Sequence, residues 1–106
     1  MDARTRKRLE SAGFAVGTAA EFLGMSAEES ALVEMRLALS GELRTRRTNA
    51  GLTQAALARR LGSSQSRVAK MEAGDPSVSL DLLIRALLAV GATRREVGRA
   101  IGQRVA

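Results

Sequence analysis

Residues that start and stop helices punctuate this chain at intervals too short for anything but a set of compact helices. Thr53, Ser64, Ser79 and Thr93 each precede a segment with helical spacing of apolar residues, and Gly51, Gly62, Gly74 and Gly91 each stand at an end. A Ser or Thr hydroxyl accepts one of the unbonded N–H groups of the first helical turn, and Gly readily takes the left-handed conformation that closes the last turn. The pattern predicts helices over 54–61, 65–73 and 80–90, with Asp75-Pro76-Ser77 as a connector. A last helix opens at Arg94, where Thr93 and Glu96 form a capping-box pattern.

Upstream, Ser26 and Glu29 form a second such pattern, so a long helix is expected from Ala27, with Leu32, Met35, Leu39 and Leu43 on one face. Val33 and Leu37 widen that face beyond what one core needs. Ser40-Gly41 is where this helix is expected to kink or divide before continuing to Ala50. Leu80, Leu83, Ile84, Leu87 and Leu88 follow the period of a buried helical face. A shorter helix, capped by Thr18 and reaching Leu23, is expected within the lead-in of residues 1–25.

Between the caps the residues are mostly Ala, Leu, Arg, Glu and Gln, good helix formers, and no long alternation of β-branched residues appears. The fold class expected is therefore all-α. At 106 residues and 45% hydrophobic the chain has material for one aliphatic core. Two Phe and no Tyr or Trp exclude the stacking platforms of single-strand binders. The absence of Cys and His removes disulfides, zinc fingers, thiol catalysis and His-dependent triads together. Glu28 with Glu29, and Asp75 with Asp81, have ordinary capping or loop roles, so no enzyme activity, metal or cofactor is expected.

The longest apolar run, Ala86 to Val90, is far short of the ~20 residues of a bilayer span. The basic start, Arg4, Arg6, Lys7 and Arg8, leads into Leu9-Glu10-Ser11 instead of an apolar signal core. It reads as a frayed terminus or as an arm for a minor groove. A cytoplasmic protein is expected.

Two short helices joined by Gly62-Ser63-Ser64 describe a helix-turn-helix, whose second helix offers its first residues to a DNA major groove. Leu57, Ala58 and Leu61 would pack against Val68 and Met71, leaving Gln65, Ser66, Arg67, Ala69 and Lys70 outward. A Gln amide pairs bidentately with adenine, Lys or Arg with guanine, and Ser with either. Gln54 and Ser64 lie at helix starts, where the dipole favours a phosphate.

Charge is placed accordingly. Residues 26–42 sum to −3 and residues 43–74 to +6, which equals the net charge of the whole chain. Arg44, Arg46, Arg59 and Arg60, with Arg67 and Lys70, form the expected phosphate stripe.

Residues Thr53 to Gly74 resemble the helix-turn-helix of the Cro/phage-repressor (Xre) family, with Thr53, Gln54, Ala58, Gly62, Gln65, Val68, Glu72 and Gly74 in register. The wider likeness runs from about Leu43 to Gly91. The resemblance implies a five-helix DNA-binding domain that dimerises on a palindromic operator and acts as a transcriptional repressor. It makes Gln54 a phosphate-side contact, Gln65, Ser66 and Lys70 base readers, and Arg67 a reader at the groove's edge. It also makes Arg47 and Glu72 an internal salt bridge. The expected organisation is an N-terminal extension, 1–25, and a DNA-binding domain, 26–106, with the helix-turn-helix at 53–74. Dimer contacts are expected at Val97, Ile101 and Val105, or at Val33 and Leu37. The stretch from Phe14 through Glu29, with Ala20-Glu21-Phe22-Leu23, is similar to that of HigA-like antitoxins. That likeness implies an alternative function, neutralising a toxin by protein contact while autoregulating an operon.

Overall fold

Each helix begins where a hydroxyl residue in extended backbone turns its side chain onto the first free N–H groups. Ser26, Thr53, Ser64, Ser79 and Thr93 accept from the backbone N–H of Glu29, Ala56, Arg67, Leu82 and Glu96 respectively. Both expected capping boxes close. The helices they start are α1 (Ala27–Asn49), α2 (Gln54–Leu61), α3 (Gln65–Glu72), α4 (Leu80–Ala89) and α5 (Arg94–Ile101). This computed structural model describes residues 24–103, and no strand occurs among them. The Thr18 helix, the basic arm and Val105 lie outside the described residues.

α1 is the spine, with α3, α4 and α5 packed along it and α2 closing against α3 and α4. Leu39, Leu43, Leu57, Val68, Met71, Leu83, Ala86 and Leu87 are fully buried, and Val97 and Ala100 join the same core. Burying a Leu or Val side chain contributes about 1.5–3 kcal/mol, so this single aliphatic cluster holds all five helices.

The long helix departs from the expectation of a division at Ser40-Gly41: one helix runs from Ala27 through to Asn49. Leu39 and Leu43 are fully buried on either side, and their burial outweighs the ~1 kcal/mol that Gly costs a helix relative to Ala. Leu32, expected on the buried face, is 48% exposed. Leu88 is likewise exposed: the buried face of α4 centres on Leu83, Ala86 and Leu87, and Leu88 points away from it. α3 and α4 each end one residue earlier than expected, with Ala73 and Val90 as C-caps.

Two glycines fix how the reading unit is mounted. Gly62 has φ +64, and the tight reversal it allows is closed by the Ser63 N–H donating to the Ala58 carbonyl at 2.8 Å. Gly74 has φ +71, and a Cβ there would stand 2.8 Å from Leu37 Cδ2, so α3 ends pressed against α1.

Candidate nucleic-acid interface

Leu57, Ala58 and the half-buried Leu61 of α2 meet Val68 and Met71 of α3 in the core. Burying positions 68 and 71 turns the opposite face of α3 outward, and Gln65, Ser66, Arg67 and Lys70 are all exposed. Ala69 differs from expectation in being half-buried at the edge of that face.

Behind the exposed face lies a chain of polar contacts running from the interior to the surface. The Arg47 guanidinium donates to both oxygens of Glu72, at 2.5 and 3.0 Å, and through Nη1 to the Leu52 carbonyl at 2.7 Å. The two side chains are 11% and 4% exposed. Burial pushes the Glu72 carboxyl up, but hydrogen bonds from Arg47 and Gln54, with the charges of Arg47 and Arg44, outweigh it and hold the group below its ordinary value. Arg47 is raised, chiefly by the hydrogen bond to Glu72.

Glu72 Oε1 also accepts from Gln54 Nε2 at 3.1 Å, and Gln54 Oε1 accepts from Gln65 Nε2 at 2.7 Å. An ionised carboxylate can only accept, so Gln54 must turn its NH₂ inward and its carbonyl outward. Gln65 must in turn spend one N–H on Gln54. Its Oε1 and its second N–H remain, one acceptor beside one donor, on the exposed face of α3. Among the described residues the structure thus joins Arg47, Glu72, Gln54 and Gln65 into one assembly.

Next to this assembly is a cleft of about 340 Å³ lined by Ser64, Ser66, Arg67, Lys70, Ser77 and Val78. The Ser64 and Ser66 hydroxyls are 3.2 Å apart, and Ser64 also caps α3. Ser77 and Val78 come from the segment read only as a connector. That segment is shaped by Asp75, whose carboxylate accepts the Ser77 N–H at 2.8 Å and whose carbonyl accepts the Val78 N–H at 3.1 Å. The Asx turn at Asp75 was the signal available for Ser77. The burial of Val78, and the donation of Arg36 Nη1 to its carbonyl, depend on contacts 42 residues apart and left none.

The basic residues divide. Arg44, Arg59, Arg60, Arg67 and Lys70 are exposed and make no ion pair among the described residues. Arg59 and Arg60 occupy the last turn of α2, where cations complement the helix dipole, whereas Gln54 opens the first. Arg46 is a correction: its Nε lies 2.7 Å from Glu42 and its Nη2 3.1 Å from Glu96, so it braces α1 to α5 instead of standing free for a phosphate. Its hydrogen bond to Glu96 is the main reason the guanidinium is raised. Glu96 is drawn down to about 2 by the Thr93 backbone N–H first, then by Arg46 and the Thr93 hydroxyl.

The terminal-helix dimer face is corrected in the same way. Val97 is 7% exposed and belongs to the core, and Ile101 packs against that core, so α5 directs these side chains into its own subunit. Val33 and Leu37 are each 41% exposed.

The protein family described as a helix-turn-helix domain matches residues 38–102, which include the second half of α1 and all four helices after it. No curated protein and no solved structure matches the chain. No helix among the described residues is long and apolar enough to cross a membrane.

Proposed function

The chain belongs to the helix-turn-helix domain family, a DNA-binding family, and from that premise we propose that it is a sequence-specific transcriptional repressor of the Cro/phage-repressor type. It lays α3 in the major groove of an operator. Gln65, Ser66 and Lys70 read base edges, Arg67 works at the groove's edge, and Gln54, Ser64 and Arg44 hold phosphates. Arg59 and Arg60 add to the field that draws the polyanion in.

The observation that carries this reading is the fixed polarity of Gln65. Its available acceptor and donor match adenine N6 and N7 in the major groove. The amide is held by Gln54, which is held by a buried ion pair, so little side-chain freedom is lost on binding. A homodimer on a palindrome with half-sites one helical turn apart, about 34 Å, acts in the cytoplasm by occupying a promoter.

Selecting bound duplexes from a random pool at several salt concentrations tests this. The expected result is one enriched palindrome whose affinity falls steeply with salt. Enrichment of no sequence, or of an asymmetric one, contradicts it.

A further inference from the structure

Two arginines bracket the buried face of α1. Arg36 and Arg47 are eleven residues apart, close to three whole turns, and so leave the helix on the same side, with the buried Leu39, Ser40 and Leu43 between them. Arg47 supports Gln65 through Glu72 and Gln54. Arg36 turns to the other DNA-facing element, the loop after α3: its Nη1 donates to the Val78 carbonyl and is the only donor to that carbonyl among the described residues. The next residue of α1, Leu37, lies against Gly74, where the same loop begins.

The other hydrogen bonds of the loop are local. Asp75 donates its N–H to the Lys70 carbonyl at 3.1 Å, and it accepts the Ser77 N–H on its carboxylate and the Val78 N–H on its carbonyl. Burial of the Val78 side chain fixes where the loop re-enters the core. It does not fix the direction of the neighbouring peptide, which a directional bond from Arg36 does. Arg36 itself precedes the residues that match the helix-turn-helix family, 38–102, while the loop it holds lies inside them.

The loop forms one wall of the cleft beside α3. Two cations, Arg67 and Lys70, and three hydroxyls, of Ser64, Ser66 and Ser77, line that cleft, and no carboxylate does. Such a lining suits a phosphate. Arg36 is half-buried and already bonded, whereas Ser77 is exposed.

We propose that Arg36 is a positioning residue for operator binding: its bond to Val78 holds the 75–78 loop so that Ser77, across the cleft from Arg67, grips a phosphate of the DNA backbone. The operator contact rests on the DNA-binding reading above; the hold on the loop does not. Through Arg47 and Arg36, one face of α1 then sets both the base-reading amide and the phosphate-gripping loop.

The test compares Arg36→Met, which keeps the stem and loses the donors, with Ser77→Ala and with the two combined, on the selected duplex. Arg36→Met and Ser77→Ala are each expected to weaken binding several-fold at an unchanged log–log salt slope, and the double variant to bind no worse than the weaker single one. Arg36→Lys, which keeps a donor, is expected to recover most of the loss. A slope shallower by about 0.9 in Arg36→Met would mean that Arg36 meets a phosphate itself and overturns the positioning role, as would losses that multiply in the double variant, or no loss at all. Amide exchange by nuclear magnetic resonance reads the hold without DNA: the Ser77 and Val78 N–H groups are expected to exchange several-fold faster in Arg36→Met while the amides of α4 keep their wild-type protection. Unchanged exchange at 77 and 78, or faster exchange throughout α4, overturns the hold. If the wild-type chain selects no duplex, the repressor reading falls and the operator contact with it, and the exchange result still decides whether Arg36 holds the loop.

Discussion

Removing Arg47 tests the internal support of the reading face. In Arg47→Ala the Glu72 carboxylate, 4% exposed, loses both guanidinium bonds and keeps only the N–H of Gln54. The Leu52 carbonyl loses a donor as well. Breaking a buried pair from one side costs about 3–5 kcal/mol, and the remaining Gln54 bond argues for the lower end, about 3 kcal/mol. For a domain of this size that lowers Tm by roughly 12 °C or more. The chain has no Trp or Tyr, so urea and thermal unfolding are followed by far-ultraviolet circular dichroism. Arg47→Met/Glu72→Leu replaces both charges with apolar groups, and its cost should be clearly less than the sum of the two single changes. A loss below about 1 kcal/mol in Arg47→Ala, or simple additivity in the double variant, would refute the claim that a desolvated pair anchors Gln54 and Gln65.

Protonating Glu72 probes the same pair. Its folded carboxyl lies below the ordinary value of 4.5, so its contribution is complete above about pH 4.5 and fades as pH falls through the lowered folded value; Glu72→Gln should flatten that acid limb in a pH series of urea midpoints. The two arginines of α1 should separate in a salt titration of DNA affinity: Arg44→Ala makes the slope shallower by about 0.9, whereas Arg46→Ala leaves it unchanged and costs about 0.5–1 kcal/mol of stability. Two glycines should move stability in opposite directions in thermal melts. Gly41→Ala, at a helical site with nothing within 4 Å, stabilises by about 0.4–1 kcal/mol, and Gly74→Ala, at φ +71 against Leu37, destabilises by more than about 1 kcal/mol.

Much of the fold was legible because its signals are local. A hydroxyl that caps a helix acts within three residues, so Ser26, Thr53, Ser64, Ser79 and Thr93 marked the helix starts among the described residues. The inward positions of α2 and α3 followed from spacing for the same reason. What escaped depends on residues distant in sequence. Nothing local tells that Arg46 meets Glu96, 50 residues on, or that Val97 faces α1 instead of a second subunit. The unbroken α1 was not legible because the low helix propensity of Gly41 is local, whereas the burial of Leu39 and Leu43 that offsets it is set by the tertiary fold. At the candidate site, the exposed face of α3 was legible as a pattern. The Gln54–Gln65 bond and the Ser77 side of the cleft required the tertiary fold.

The most direct measurement is atomic substitution in the DNA at the base pair whose preference disappears in Gln65→Ala. That base should be adenine, and replacing it with 7-deazaadenine, which lacks the N7 acceptor, should weaken the wild-type protein by about 1 kcal/mol or more while leaving Gln65→Ala unaffected. Equal weakening of both proteins, or indifference of the wild type, would contradict the assignment of Gln65 to a base edge.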